Sequence, residues 1–290
     1  MNILMIHGIG QEGSTQQELI KVWTDSLQKV APNLLNGSKV NMAYYGTTLA
    51  DWTTGKTKAA VGMGPEQTEV DIGDEDELKF LLAAMGEALT ENGGGEAEIE
   101  AALEEADDIA VPMDSFFGRR LVGLVRALEK LSPAKGSLML RVVKQGYTYL
   151  SSPGAGKAVD DIVRPYLQKS PQVLITHSLG TVIVFKLLRE MERQGLSAKI
   201  PLLVTMGSPL GLDAFKKKLG PSFGKASFVE RWKNFYDPSD LVALGRDLNS
   251  HTFGPGIEND GTVNNPTDNA HGIIGYLPHK GVVDALKKVL

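Results

Sequence analysis

The stretch that decides the fold is Val173-Leu-Ile-Thr-His-Ser-Leu-Gly-Thr-Val182, where an apolar run meets a turn of small residues and then a helical pattern. A buried strand that passes through a sharp turn directly into a helix lifts a serine hydroxyl above the edge of a sheet. Ser178 is therefore a candidate nucleophile, and the helix that follows directs positive dipole toward charge developing there. Gly180 leaves room for the helix to approach the strand closely. A simple helix N-cap is the alternative role for this serine.

A second apolar run, over residues 3–6, ends in a glycine-rich turn that begins with His7 and Gly8. In the strand–turn–helix arrangement, a backbone N–H from the loop after an early strand faces the substrate oxygen, and the residue after the serine supplies another. The predicted donors are the amides of Ile9 and Leu179. A plain strand-ending turn at residues 7–10 is the alternative.

The first 46 residues have the pattern of a strand, a helix and a second strand, with Ser14 predicted as the helix N-cap and Gln17 three residues further on. Strands joined in this way are expected to be parallel. After residue 153 the alternation resumes, with helices predicted over 159–168, 179–194 and 282–290 and strands over 172–176, 201–206 and 228–235. The sequence therefore predicts an α/β fold, with a mostly parallel sheet flanked by helices.

Residues 47–152 interrupt this alternation with helical patterns over 75–89, 97–106, 116–131 and 138–150. Between residues 66 and 108 there are 16 acidic residues and a single basic one, which is typical of a solvated insertion. We predict a helical insertion that caps the active site, set into a core formed by residues 1–46 and 153–290; helices packed on the sheet edge are the alternative. If the 116–131 helix covers Ser178, its apolar face would favour acyl chains.

The composition excludes several classes of function. The chain has 290 residues, a net charge of −5 and no cysteine, which argues against nucleic-acid binding and excludes disulfides and thiol catalysis. Neither a signal peptide nor a membrane-spanning stretch is apparent, so a cytoplasmic protein is expected. No metal-binding spacing is present, and we expect neither a metal nor an organic cofactor.

The paired segments 3–8 and 176–180 resemble the α/β-hydrolase superfamily, within its lipase- and esterase-like members. The stretches 207–211 and 232–242 carry the same likeness, which covers residues 1–46 and about 158–290. Two features depart from the family: Thr176 replaces the first glycine of the usual G-x-S-x-G pattern. Most members also have two further strands before the one that begins at Ile3.

The family order of nucleophile, acid and histidine places the acid downstream of Ser178. Asp237 and Asp240 both follow a predicted strand. The resemblance favours Asp240, because an Asp-x-Val segment follows the turn. Asp237 precedes a proline and could begin that turn through its own side chain.

Three histidines follow the acid: His251, His271 and His279. His271 lies in a loop between a long irregular stretch and the last helix, which is where related hydrolases carry their histidine, and it is favoured over the other two. His177, beside the candidate nucleophile, is expected to point away from Ser178 and to support the site by packing.

The resemblance implies a serine hydrolase that cleaves a carboxylic ester of a small molecule or a lipid. Ser178 would attack the acyl carbonyl, His271 would take its proton, Asp240 would orient the imidazole, and an acyl-enzyme would form. An amidase, a peptidase or a thioesterase on the same residues is an alternative. A non-catalytic binding module of the same fold is another.

Overall fold

The computed structural model describes residues 1–56, 74–105, 116–131, 135–169 and 171–290. Six strands occur in it: β1 Asn2–Ile6, β2 Lys39–Ala43, β3 Gln172–His177, β4 Leu203–Met206, β5 Trp232–Phe235 and β6 Ile257–Asp260. They form one sheet in the order β2-β1-β3-β4-β5-β6, in which every neighbouring pair is parallel. The α/β prediction is confirmed, and the sheet is parallel throughout.

Helices flank the sheet and connect its strands. Their bounds are α1 Gln16–Gln28, α2 Gly46–Lys56, α3 Glu75–Glu91, α4 Glu96–Glu104, α5 Phe116–Leu131, α6 Lys135–Ser151, α7 Pro153–Leu167, α8 Leu179–Arg193, α9 Asp213–Leu219, α10 Ile273–Tyr276 and α11 Lys280–Lys287. Short 3₁₀ turns follow β4 at Pro209–Gly211 and β5 at Leu241–Ala243. Throughout the described ranges, every helix falls short of the length and apolar character that a membrane crossing requires.

Alternating residues of the strands point to two different cores, as the two-residue period of a strand dictates. On β1, Leu4 and Ile6 join a cluster that includes α7 and α8, whereas Ile3 and Met5 join a cluster with α1 and α11. Both faces of the sheet are thus covered. This explains why the central strands are continuous apolar runs in the sequence.

The start of α1 differs from the prediction by one residue. Thr15 is the N-cap: its hydroxyl accepts from the N–H of Glu18 at 3.2 Å, and Glu18 Oε2 accepts from the N–H of Thr15 at 2.7 Å. This reciprocal pair is a capping box, in which the glutamate satisfies a second free amide. The prediction of Ser14 with Gln17 was wrong because a glutamate three residues after a threonine fits the pattern better.

Four elements were not predicted: α2, α9, α10 and β6. The 11 residues of α2 include four threonines and two glycines and have no clear apolar face, so helix periodicity is absent from the sequence. β6 has only one apolar residue, Ile257, and it forms at the sheet edge by pairing with β5. Its pairing partner, which is distant in sequence, stabilises it.

The helices of the 47–152 region share a core with the sheet. Buried residues of α3, α4, α5 and α6 belong to the same cluster as those of α7 and α8. The apolar side of α5 packs on α3, α4 and α6, while Phe117, predicted on that side, is 55% exposed. This face is therefore buried among helices, whereas a preference for acyl chains would require it to be open above Ser178. Those parts of the acidic block that fall in 57–73 and 106–115 lie outside the described residues.

Candidate active site

The site lies where the strand order reverses. The chain leaves β1 toward β2 on one side and leaves β3 toward β4 on the other, so the loops after β1 and β3 diverge. In parallel α/β sheets the crevice outside the carboxyl ends of such strands is the usual binding site. The loop after β1 contains His7 and Gly8, and the turn after β3 contains Ser178.

Ser178 occupies the sharp turn between β3 and α8. Its backbone has φ 53° and ψ −131°, a strained conformation for a residue with a side chain. The N–H of Ser178 donates to Met206 O at 3.0 Å, which ties the turn to β4. The hydroxyl makes no capping hydrogen bond to α8. The N-cap alternative therefore does not describe this serine.

Two glycines allow the turn to pack tightly against the loop after β1. A Cβ on Gly8 would lie 2.6 Å from Ser178 Cβ and 3.0 Å from its Oγ. A Cβ on Gly180 would lie 2.4 Å from the carbonyl oxygen of His7. Thr176, the departure from the glycine pattern, is accommodated because its hydroxyl donates to Val204 O at 2.8 Å within the sheet.

A continuous hydrogen-bonded chain joins the three residues that were predicted to act together. Ser178 Oγ lies 2.8 Å from His271 Nε2, and His271 Nδ1 lies 2.9 Å from Asp240 Oδ2 and 3.1 Å from Oδ1. All three side chains are buried. A carboxylate only accepts, so Nδ1 carries the proton and Nε2 is free to accept from the serine hydroxyl.

The acid turn distinguishes the two aspartates. Asp237 accepts from the N–H and the hydroxyl of Ser239, both at 2.7 Å, and from the N–H of Asn265 at 2.7 Å. It holds the turn together, which is the role weighed for it from the sequence. Asp240 faces His271, and it also accepts from the N–H of Val242 at 3.0 Å.

The loop that carries His271 is held by side chains that the sequence did not point out. Asn265 Nδ2 donates to Ala270 O at 3.1 Å and to Gly272 O at 2.7 Å, the carbonyls on either side of the histidine. A Cβ on Gly275 would lie 1.8 Å from Asn265 Oδ1. The asparagine therefore fits only because residue 275 has no side chain. An asparagine ten residues before a glycine is too weak a sequence signal to suggest this clamp.

Tyr276 is the second residue that the sequence did not point out. Its hydroxyl donates to Asp240 Oδ2 at 2.7 Å and accepts from the N–H of Asp237 at 3.0 Å. The side chain is fully buried. A tyrosine in an apolar stretch before the last helix suggests core packing, and only the tertiary structure places its hydroxyl on the acid.

His177 contacts the histidine that is hydrogen-bonded to Ser178. Its Nε2 donates to the backbone carbonyl of His271 at 2.8 Å, and the two rings lie 4.7 Å apart. Burial lowers the pKa of His177 to about 3, with the His271 ring a further cause, so this imidazole is neutral. It orients the histidine loop through one hydrogen bond.

His7 is fixed beside the glycine turn. Its Nδ1 donates to Gly8 O at 2.7 Å, and its Nε2 accepts from the N–H of Tyr45 at 3.1 Å, which defines the tautomer. Burial lowers the pKa of His7 to about 4. The ring also stacks on Tyr45 at 4.2 Å.

Of the two amides predicted as oxyanion donors, one belongs to the residue directly after Ser178 and the other to the residue directly after Gly8. Ile9 follows Gly8, which packs on the serine side chain, and Leu179 is the first residue of α8. Neither amide donates a hydrogen bond to any of the described residues.

Helix α6 lies across the histidine side of the site. Lys135 Nζ donates to Ser239 O at 2.8 Å, and Leu138 borders a cavity of about 10 Å³ that Asp240, Ala270 and His271 also line. A cavity of this size holds about one water molecule. Part of the predicted insertion therefore borders the site, and that part is α6.

The remaining candidates lie elsewhere. His251 is exposed, and His279 contacts Thr262 and the ring of Phe235. In the described part of the chain, histidine and carboxylate side chains do not gather in groups of three or more that could hold a metal ion.

Comparison with known proteins identifies no relative of the chain. No protein-family model matches it, and neither the curated proteins nor the solved structures contain a significant match. The function is therefore inferred from the geometry of the site.

Proposed function

We propose that the chain is a serine hydrolase of the α/β-hydrolase type that cleaves a carboxylic ester of a small molecule or a lipid. The observation that carries this proposal is the hydrogen-bonded chain from Ser178 Oγ through His271 to Asp240, at a strained turn between a central strand and a helix. A structural serine has no need of strain or of an oriented imidazole. Strain of this kind concentrates at functional sites.

The hydrogen bonds define the direction of proton transfer. His271 Nε2 accepts the proton of Ser178 Oγ as the oxygen attacks the acyl carbonyl, and it later returns that proton to the leaving alcohol. Asp240 accepts from Nδ1 throughout, which fixes the tautomer and stabilises the imidazolium. Water then attacks the acyl-enzyme with His271 again as the base.

The negative charge of the tetrahedral intermediate falls on the carbonyl oxygen. The amides of Ile9 and Leu179 are the donors proposed for it, and α8 begins at Leu179 with the positive end of its dipole at the site. One such donor contributes on the order of a hundred- to a thousandfold to turnover. Gly8, the residue before Ile9, packs directly against the Ser178 side chain, which supports the choice of the first donor.

The test is labelling with a fluorophosphonate probe, followed by intact mass. We expect one probe per chain on the wild type and none on Ser178→Ala, because only an activated serine attacks phosphorus at a useful rate. Ser26→Ala is the matched control, since Ser26 is also buried but belongs to the opposite face of the sheet. Positive labelling is followed by a screen of carboxylic esters beside the matching amides and thioesters.

Access to the buried serine needs its own control. Leu138→Ala widens the cavity beside His271 without removing a polar group of the site. If a folded wild type and a folded Leu138→Ala both resist the probe, the hydrolase proposal is contradicted. A binding module would then be the better description.

A further inference from the structure

The hydroxyl of Tyr276 joins two parts of the acid turn. It accepts from the backbone N–H of Asp237, at 3.0 Å, and that amide can only donate. The hydroxyl proton therefore points at Asp240 Oδ2, 2.7 Å away. The ring is fully buried in the core that also contains α11, so the hydroxyl has a single orientation.

Asp240 Oδ2 is the oxygen on which two donors meet. It lies 2.9 Å from His271 Nδ1, compared with 3.1 Å for Oδ1, and it accepts from Tyr276 as well. Oδ1 accepts from the N–H of Val242. Each carboxylate oxygen thus has a fixed donor besides the imidazole, and the carboxylate cannot rotate without breaking one of these bonds.

The Tyr276 hydroxyl stays protonated at neutral pH and therefore remains a donor. Burial, and then the neighbouring Asp240 charge, raise the pKa of Tyr276 far above its ordinary value. The other polar groups next to this pair are His177, whose ring lies 6.0 Å from that of Tyr276, and Asp237. His177 is neutral because burial lowers its pKa to about 3.

We infer, on the basis of the proposed hydrolase function, that Tyr276 is a positioning residue. Its hydroxyl fixes the plane of the Asp240 carboxylate and so aligns His271 Nε2 on Ser178 Oγ. It also takes up part of the carboxylate charge, since a hydrogen bond to an ionised acceptor is stronger than a neutral one. Without it, Asp240 is free to turn and holds the Nδ1 proton more strongly.

The test compares Tyr276→Phe with Tyr149→Phe, which removes a similar group at a distance from the serine. Tyr149 is equally buried, and its hydroxyl donates to the carboxylate of Asp160 at 2.7 Å. We expect Tyr276→Phe to slow fluorophosphonate labelling about tenfold, the usual consequence of losing a hydrogen bond to a charged group. The pH at which the labelling rate of Tyr276→Phe reaches half its maximum should also differ from that of the wild type. Tyr149→Phe should lose thermal stability to a similar extent and keep the wild-type rate and midpoint.

A second measurement does not depend on hydrolysis. In protein with isotope-labelled histidine, the Nδ1 proton of His271 gives a low-field NMR signal, assigned by its loss in His271→Gln. Tyr276→Phe should move this signal to lower field, because Asp240 becomes a stronger acceptor. Tyr149→Phe should leave it in place.

The outcomes separate the inference from the proposal on which it rests. With a wild type that labels at Ser178, a Tyr276→Phe variant that labels at the wild-type rate overturns the positioning role. If neither the wild type nor Leu138→Ala is labelled, the hydrolase proposal fails. The NMR signal then decides whether Tyr276 positions His271. A shifted signal then supports the positioning of His271 by Tyr276, and an unchanged one overturns it.

Discussion

The two halves of the site are held by different kinds of interaction. The serine turn, formed by residues 6–10 and 176–181, is fixed by backbone packing, because Gly8 and Gly180 leave no space for a side chain. The histidine loop, residues 265–276, has only the short α10 as regular structure and is fixed by hydrogen bonds from Asn265 and Tyr276. Adding atoms should therefore displace the serine turn, whereas removing polar groups should displace the histidine loop.

The difference follows from where each half lies in the fold. The serine turn joins a central strand to a helix, so its position is set by the sheet and by α8. The histidine loop follows β6 and contains no strand. Its backbone carbonyls therefore need side-chain donors. Its order therefore depends on a few specific groups.

Of the two halves, the serine turn should be the more sensitive to acid. Both of its histidines, His7 and His177, are buried and neutral. Unfolded histidine binds a proton below about pH 6.5, whereas burial lowers the pKa of His7 to about 4. Between these values the unfolded state binds more protons, so stability falls as the pH falls. The difference corresponds to a loss on the order of 3 kcal/mol for His7 alone.

This prediction is checked by the free energy of unfolding in denaturant, measured at a series of pH values. His7→Gln should flatten the dependence between about pH 6.5 and about pH 4. His251→Gln should leave it unchanged, since that histidine is exposed. An equally steep dependence in His7→Gln would show that His7 is not a source of the acid sensitivity.

Adding one methyl group to the serine turn should have the next largest effect. In Gly8→Ala the new Cβ would lie 2.6 Å from Ser178 Cβ, so the serine and the loop after β1 must separate. We expect labelling of Ser178 to slow about a hundredfold, as for other small displacements of reacting groups. Gly13→Ala is the control, because a Cβ there has nothing within 4 Å. Unchanged labelling in Gly8→Ala would mean that the turn yields more readily than its packing suggests.

Removing a polar group from the histidine loop should have the smallest effect of the three. Asn265→Ala leaves the carbonyls of Ala270 and Gly272 without their donor, and the position of His271 then depends on its remaining contacts. We expect labelling to slow about tenfold, with a loss of about 1–3 kcal/mol in stability. Asn249→Ala removes a loop-capping asparagine elsewhere and should change stability alone. Equal labelling by the two variants would argue against a clamp at residue 265.

Prediction from the sequence succeeded where local pattern and structure coincide. The strand into Ser178, the helix after it and the glycines at 8 and 180 all leave a local signal, and the structure has them in place. Asp240 and His271 came from a resemblance and from chain order, and they meet in the structure at 2.9 Å. The edge strand β6 and helix α2 were missed because their own residues carry little periodicity.

What the sequence by itself determined is the α/β alternation, the central apolar strands and the serine turn, because each depends on residues that are neighbours along the chain. Only the tertiary structure decided the partners of the acid and of the histidine loop. Tyr276 is 36 residues from Asp240, and Asn265 is 28 residues from Asp237. It also decided that α5 buries its apolar side among helices and that α6 borders the site. The physical reason is that a sequence pattern indicates which face of a helix or strand is buried. It does not indicate which residues of other elements pack against that face.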